Sequence, residues 1–318
     1  MRKRVKKGVL LLLTAFCICL CGCGQKEKTT FSIAEQFGIA YAPLNLMKEM
    51  GWLEEKLPGI TIEWKKFGGP TAIREAMLSK EVDFGFMGVS PVLIGISNGM
   101  EWKYATGISR NQVALVTDKP ELKTLADFSK QDKIVVLSPG CTQHVLLCML
   151  AKEQLGDPMA MDAQIVSMSH PDGMNALLSE TEVSAHFVTP PYLQEELKHG
   201  AQIIADGETL IGGQFTFISG VAMTEFHDKN PELYDTFIET LNESIEYINN
   251  NMEEVIGILA PIYGITEEEL REQMSYGGTI YSGELQGVEK IKTAMYEMGF
   301  ISENYNYKDI VFDNVIWK

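Results

Sequence analysis

Two hydroxyl–proline pairs, about a hundred residues apart, are the residues best suited to bind a negatively charged group. The pairs are Ser90-Pro91 and Thr189-Pro190. Proline is typical of the first position of a helix, where the backbone N–H groups have no partner within the helix. Those groups and the helix dipole attract an oxyanion or a carbonyl oxygen. We therefore predict that both helix starts contact a ligand, although ordinary capping by Ser90 and Thr189 would use the same groups.

A third predicted helix start, at residues 138–143, contains a cysteine and precedes a histidine. Thr142 and Gln143 can donate hydrogen bonds there. Cys141 and His144 lie three positions apart, and a thiolate is stabilised at a helix start, so a Cys/His nucleophile is a second interpretation. However, no third residue is evident in the sequence to orient His144.

Nothing else in the sequence indicates an enzyme. His170 precedes a proline and is predicted to be a polar loop residue. The five histidines show no metal-ligand spacing, and there is no phosphate-binding glycine loop. We therefore predict no catalytic residues, no cofactor and no metal.

The elements that must position these residues repeat along the chain. Residues 76–91 and 176–190 each predict a helix, a turn, an alternating strand and a new helix start. The alternating apolar residues are Val82, Phe84 and Phe86 in the first stretch and Val183, Ala185 and Phe187 in the second. One such unit in each half predicts two α/β lobes with a ligand between them. The alternative is chance, because α/β proteins often reuse this unit.

Other polar and aromatic side chains are predicted to face the same cleft. Gln36 and Tyr41 follow a predicted strand at residues 31–34, and ligands of open α/β folds bind at the carboxyl ends of strands. The full predicted set is Gln36, Tyr41, Ser90, Asn111, Thr142, Gln143, Thr189 and Tyr192, with Arg74 and Arg110 as the nearest candidate cations. This set suits a sulfonate or carboxylate held by N–H groups, and equally a neutral heterocycle.

The N-terminus has the features of an export signal. Five basic residues within the first seven precede an apolar run at residues 8–20, which is short for a transmembrane helix. Leu20-Cys21-Gly22-Cys23 resembles a bacterial lipobox, so we predict a signal peptide at residues 1–22, lipidation of Cys23 and a polar tether at residues 23–30. A plain secretory signal with incidental cysteines is the alternative.

The net charge limits the partners that the protein can bind, and the remaining cysteines limit how it can be stabilised. The formal charge of −16 becomes −21 once the five basic residues of the signal are removed. Nucleic acid and anionic membrane surfaces are therefore unfavourable partners. Cys141 and Cys148 are the cysteines that remain in the body, and one helix would hold them about 10 Å apart, which is beyond disulfide reach.

Several stretches taken in order give the chain a family resemblance. They are QFGIAYAP, AMLSKEVDFGFMGVSP, LADFSKQDKIVVLSPGCTQH, VSAHFVTPPY and VFDNVIWK, after the signal and the lipobox. Together they resemble the solute-binding proteins of ABC importers of the aliphatic sulfonate, nitrate, taurine and thiamine-pyrimidine type. The resemblance covers nearly the whole mature chain.

This resemblance implies an α/β fold of the type II periplasmic-binding class, in which two lobes joined by two crossing strands close on a ligand. It places the crossings near residues 113–118 and 214–221. Lobe 1 is then expected at residues 31–115 and 217–318, and lobe 2 at residues 116–216.

The resemblance also implies a function and its partners. The expected protein is a monomeric solute receptor, lipid-anchored at the extracytoplasmic face of a bacterial membrane, that delivers a small molecule to an ABC permease and its ATPase. A sulfonate-, nitrate- or taurine-like ligand is expected. A thiamine-pyrimidine-type heterocycle, or a lipid-anchored sensor or enzyme of the same fold, remains an alternative.

Overall fold

The structure is a computed structural model that describes residues 28–179, 183–275 and 279–318, so the predicted signal peptide and Cys23 lie outside it. In chain order the described strands are β1 (Thr30–Glu35), β2 (Thr61–Lys66), β3 (Phe84–Gly88), β4 (Trp102–Arg110), β5 (Ala114–Thr117), β6 (Lys133–Val136), β7 (Ile165–Ser167), β8 (Val183–Val188), β9 (Gln202–Asp206), β10 (Ile218–Met223) and β11 (Ile280–Tyr281).

The described α-helices surround these strands. They are α1 (Ala42–Met50), α2 (Trp52–Lys56), α3 (Pro70–Leu78), α4 (Val89–Ser97), α5 (Thr142–Leu155), α6 (His170–Leu178), α7 (Tyr192–Lys198), α8 (Gly207–Ile211), α9 (Thr224–Lys229), α10 (Pro231–Asn250), α11 (Met252–Tyr263), α12 (Glu267–Ser275), α13 (Val288–Glu297) and α14 (Tyr307–Ile310). Among them, none is long and apolar enough to cross a membrane.

The strands form two mixed sheets with a shared local arrangement. The first has the order β11-β4-β10-β3-β1-β2, and the second has the order β7-β6-β8-β5-β9. In the first sheet β3 lies between parallel β1 and antiparallel β10. In the second, β8 lies between parallel β6 and antiparallel β5. The unit repeated in the sequence thus has equivalent positions in the two sheets, and the predicted α/β fold is confirmed.

The chain crosses between the sheets twice. The first crossing joins the end of β4 at Arg110 to the start of β5 at Ala114, and the second joins α8 to β10 through residues 212–217. Ala114 and Leu115 pair with β8 and β9, so these two residues belong to the second sheet and not to the first, where the predicted boundary put them. The remaining lobe boundaries stay a prediction.

The long helix α10 packs on the first sheet through an apolar stripe along one of its faces. Its buried residues include Leu233, Phe237, Ile238, Leu241, Ile245 and Ile248. The ring of Phe237 lies 4.6 Å from that of Phe84 and 5.3 Å from that of Phe31, measured between centroids. Helical spacing of apolar residues places them on one face, and burial of that face supplies most of the helix's stability.

We predict that Phe237→Ala lowers the free energy of unfolding by about 3–5 kcal/mol, because a fully buried ring is removed from a packed aromatic cluster. Urea denaturation followed by circular dichroism measures the change. The control is Tyr296→Ala on α13, a half-exposed aromatic whose loss should change stability by no more than about 0.5 kcal/mol. Equal effects of the two substitutions would contradict the central position of Phe237.

Candidate ligand site between the two sheets

The carboxyl ends of the parallel strands in both sheets face one cleft. Its lining comes from the segments that follow β1, β2, β3, β6, β7 and β8, together with Phe217 and Ile218 at the start of β10. Ligands of open α/β folds bind at this end of the strands. Five of the eight predicted ligand residues line the cleft: Gln36, Tyr41, Thr142, Gln143 and Thr189.

Two of the three helices at the cleft do not begin where the sequence predicts: α4 begins earlier and α7 begins later. Helix α4 begins at Val89 with Gly88 as its N-cap, so Ser90 is neither the cap nor outside the helix. Helix α7 begins at Tyr192, three residues after Thr189. A residue that precedes proline disfavours helical geometry, and the Pro190-Pro191 pair therefore delays the helix. Neither Ser90 nor Thr189 is an N-cap, so the alternative interpretation, ordinary capping by these two residues, is wrong.

The two lobes meet where a glycine faces a threonine. The backbone N–H of Ser90 lies 3.4 Å from Thr142 Oγ1, which accepts its hydrogen bond across the cleft. A Cβ atom on Gly88 would collide with that same Oγ1 atom. Similarly, a Cβ on Gly140 would lie 2.5 Å from Ile94 Cδ1. The small residues at this contact between the lobes, which we call the seam, allow the two backbones to approach each other. The structure is therefore a closed form of the cleft.

Buried oxygens without partners lie in both lobes, on a lining residue or on the chain neighbour of one. Within the described residues, the unpartnered atoms include Gln36 Oε1, Ser90 Oγ and Ser138 Oγ. Gln36 Nε2 donates to the carbonyl oxygen of Phe86 at 3.3 Å, and a carbonyl only accepts, so Oε1 must point the other way. A buried polar group without a partner costs about 1–3 kcal/mol. Gln36 Oε1, which belongs to a lining residue, is therefore suited to a hydrogen bond with a ligand.

Other predicted residues lie behind the lining rather than in it. Asn111 Nδ2 donates to Thr279 Oγ1 at 3.3 Å, and the ring of Tyr192 stacks on His170 with centroids 5.8 Å apart. Arg110 donates to Gln286. Neither Arg110 nor Arg74 is among the described lining residues, and no lysine is among them either. As far as the described part of the chain goes, the cleft therefore offers neutral hydrogen-bonding groups and no cationic side chain.

His170 is a lining residue that the sequence reasoning missed. It is the first residue of α6, and the side chain of Ser169 caps that helix by accepting the N–H of Asp172. The ring is buried and lies 3.1 Å from the Nε2 atom of Gln143 and 3.0 Å from the Nε2 atom of His186. The Ser-His-Pro-Asp pattern was the available signal, since serine before proline and acid is typical of a helix start.

Burial keeps this region uncharged at neutral pH. Burial, and then the neighbouring His186, hold the pKa of His170 well below its ordinary value. Burial lowers the pKa of His186 to about 3 and raises the pKa of Glu196, which contacts His186, to about 9. Desolvation favours the neutral form of each group, so these side chains of the second lobe are polar but uncharged.

Comparison with known proteins identifies the family. A family model described as the NMT1-like family matches residues 24–260. The chain belongs to the NMT1-like family. This confirms the family that the sequence motifs indicated.

Individual relatives of this NMT1-like protein agree with that assignment. A Bacillus subtilis (strain 168) protein named for binding aliphatic sulfonates is 25% identical over 295 residues, which is 87% of this chain and 84% of the relative. The taurine-binding periplasmic protein of Escherichia coli (strain K12) is 25% identical over 226 residues, 68% of each chain. Both relatives are named as binding proteins, the class that the sequence motifs indicate for this chain.

The fold is shared with a solved structure. The alkanesulfonate-binding protein SsuA from Xanthomonas axonopodis pv. citri, bound to MOPS, superposes with a TM-score of 0.72. The match covers 90% of this chain and 99% of SsuA at 20% identity. The NMT1-like chain therefore has the periplasmic-binding-protein fold that the resemblance implied.

The Cys141–His144 pair of this NMT1-like protein is not arranged as a nucleophile and its base. Cys141 is the N-cap of α5, and its sulfur accepts the backbone N–H of His144 at 3.4 Å. The imidazole of His144 instead faces Cys148 and Asp162, with Nε2 3.4 Å from the sulfur and 3.2 Å from Oδ1. The structure thus contains a third group beside His144, which the sequence did not reveal. Burial, and then the charge of Asp162, raise the pKa of the Cys148 thiol to about 12, so this sulfur is a poor nucleophile.

His144, Cys148 and Asp162 also lie close enough together to resemble a metal site, since their ligand atoms are within 4.8 Å of one another. The backbone N–H of Gly140 donates to His144 Nδ1 at 2.8 Å. A neutral imidazole that accepts at Nδ1 carries its proton on Nε2, the atom that would have to bind the metal. This arrangement favours a hydrogen bond from His144 to Asp162 over metal coordination.

We predict that Gly88→Ala shifts the protein from the closed towards an open form, because the new methyl group collides with Thr142 across the seam. Gly88 has φ −57° and ψ 155°, which alanine adopts without strain, so the fold itself should be retained. Small-angle X-ray scattering should show a larger radius of gyration. The control, Gly257→Ala in α11, adds a methyl group that meets nothing closer than 3.8 Å. A scattering profile equal to that of the control would refute the role of this seam.

Proposed function

We propose that this chain is the extracytoplasmic solute-binding protein of an ABC importer, anchored by a lipid on Cys23. Its lobes close on a small organic molecule or oxyanion of the sulfonate, nitrate or taurine type, which it delivers to a permease and its ATPase. The observation that carries the proposal is a set of buried, unpartnered oxygens at or beside the cleft: that of Gln36, which lines it, and those of Ser90 and Ser138, the chain neighbours of the lining residues Pro91 and Leu137. The names of the sulfonate- and taurine-binding relatives support the ligand class.

The neutral lining supports an oxyanion bound by hydrogen bonds alone. Helices α4 and α5 both begin at the cleft, so their first N–H groups and their dipoles favour negative charge there. Each hydrogen bond to a charged ligand group contributes about 1.5–3 kcal/mol. The hydroxyls of Ser90 and Ser138 can add donors. A sulfonate or nitrate can therefore be held without an arginine or lysine.

One contact favours a ligand that also donates hydrogen bonds. Gln36 Oε1 can only accept, and a sulfonate or nitrate group has no proton to offer it. An amino sulfonate supplies an ammonium group for this oxygen and a sulfonate group for the helix starts. A heterocycle with an amino group, flanked by Phe37 and Tyr41, satisfies the same oxygen and is the second candidate.

A thermal-shift screen of taurine, ethanesulfonate, nitrate and an aminopyrimidine tests the ligand class. A compound present at a hundred times its dissociation constant raises the unfolding free energy by about 2.7 kcal/mol. We expect the stabilising compound to lose its effect in Ser90→Trp, because the indole fills the cleft, and to keep it in Ser79→Trp, whose side chain is exposed at the end of α3. Stabilisation by none of the four, or an unchanged response in a folded Ser90→Trp protein, would refute this ligand site.

We predict that Cys23→Ala releases the protein from the membrane or blocks its processing, because the lipid would be attached to this cysteine and a soluble body needs it for stable anchoring. Membrane fractionation and the mass of the mature N-terminus measure the result. Cys21→Ala is the matched control and should leave anchoring unchanged. Normal processing and membrane retention of Cys23→Ala would contradict the lipid anchor.

A further inference from the structure

Ser109 carries a buried hydroxyl that has no partner in the described part of the chain. The residue lies near the end of β4 and is 1% exposed. Its Oγ atom forms no hydrogen bond within residues 28–179, 183–275 and 279–318. A buried hydroxyl without a partner destabilises a fold, and most buried polar groups are therefore paired. An unpaired one at this position calls for a partner from outside the chain.

Strand pairing shows to which face of the first sheet the Ser109 side chain belongs. Gly88 on β3, Ile218 on β10 and Ser109 on β4 pair in one row across the sheet. Residues directly opposite one another on neighbouring strands have their side chains on the same face. A Cβ atom on Gly88 would point at Thr142 Oγ1 of the second lobe, so this face is the one that meets the cleft. Ser109 therefore lies on the cleft side, beside the lining residue Ile218.

The neighbour on the other side of Ser109 gives the same orientation. Tyr281 on β11 pairs directly with Ser109. The hydroxyl of Tyr281 donates to the carbonyl oxygen of Ile39 at 2.9 Å. Ile39 begins a short 3₁₀ helix whose next two residues, Ala40 and Tyr41, line the cleft. Ser109 thus lies at the base of the wall that this short helix forms.

The spacing of the strands sets the distance from Ser109 to the place where an anion is favoured. Helix α4 starts directly after Gly88, and the start of α5 faces Gly88, so both helix dipoles favour negative charge there. Ser109 is two strands away from Gly88, or about 10 Å. A hydrogen bond to Ser109 takes up about 3 Å of this distance, which leaves about 7 Å within the ligand.

Gln36 does not compete for the same part of the ligand. It follows β1, and the strand order β4-β10-β3-β1 puts β1 and β4 on opposite sides of β3. A ligand group that reaches Ser109 therefore extends away from Gln36. The two unpaired oxygens, Gln36 Oε1 and Ser109 Oγ, lie towards opposite ends of the cleft floor.

We propose that Ser109 is a specificity-determining residue, which selects a ligand longer than taurine with a second polar group about 7 Å from its anionic group. The Ser109 hydroxyl accepts a hydrogen bond from an amino group or donates one to an oxygen of that second group. The position of the anionic group rests on the proposed function, whereas the orientation and the unpaired state of Ser109 do not. The proposal explains why a serine stands where an alanine would leave no polar group unpaired.

Isothermal titration calorimetry with two pairs of sulfonates measures this selection. The long pair is 4-aminobutanesulfonate and butanesulfonate, and the short pair is taurine and ethanesulfonate. In the wild type, the amino group of the long pair should raise the affinity about tenfold or more, as one hydrogen bond to a charged group does. In Ser109→Ala this gain should be lost. The affinities of the short pair should not change in that variant, because a two-carbon chain does not reach residue 109.

Ser219→Ala is the matched control. Ser219 follows Ile218 on β10, so its side chain points to the opposite face of the sheet. It is fully buried, and its hydroxyl donates to the carbonyl oxygen of Met87 at 3.3 Å. This variant should keep the amino gain and melt about 2 °C lower, because it loses a hydrogen bond. Ligand-free Ser109→Ala loses none, so its melting temperature should equal or exceed that of the wild type.

Three results would each overturn the proposal. They are an amino gain that persists in Ser109→Ala, no amino gain in a wild-type protein that binds both long compounds, and a melting temperature that falls as far in Ser109→Ala as in Ser219→Ala. If none of the four sulfonates binds the wild type, the sulfonate ligand of the proposed function is refuted, and so is the ligand length. An undiminished melting temperature of Ser109→Ala would then still support Ser109 as an unpaired group of the cleft.

Discussion

Closure of the cleft depends on the contact between Gly88 and Thr142, where the absence of one methyl group lets the lobes meet. The same contact brings the start of α4 against the start of α5, so the donors of both helices face one space. The hydrogen bond across the seam, from the Ser90 N–H to Thr142, is long at 3.4 Å. Because the protein's own contacts here are weak, a ligand that bonds to both lobes can shift the balance between open and closed forms.

Elements governed by local chemistry could be predicted from the sequence, and those governed by tertiary pairing could not. The stripe of α10 and the capping box of Thr266 with Glu269 depend on nearby residues alone, and both are present. The start of α4 was misplaced because β3 continues to Gly88, which pairs with Ile218 on β10. That partner is far away in sequence, and the hydroxyl–proline pattern at Ser90 gives no information about it.

The same difference between local chemistry and tertiary contacts decides which residues of the site could be predicted. Gln36 and Thr189 could be placed in the cleft because each directly follows a strand end, and chain order alone fixes that edge. Tyr192 could not be placed, since its ring direction depends on His170 from another helix. His186 and Glu196 carried no signal, because an acid in a short helix is typical of an exposed face. Only the fold shows that each has the other as its partner.

A neutral site also suits a protein that must release what it binds. The chain has a formal charge of −16, but charges farther than about 8 Å are largely screened, so the groups at the cleft decide the affinity for an anion. An arginine on one lobe would keep its ion pair with the ligand after the lobes separate. Hydrogen bonds divided between the lobes behave differently, because opening removes the Ser90 side from the Ser138 side and lets water replace the lost donors. Retention then depends on closure itself, which a permease can reverse by holding the lobes apart.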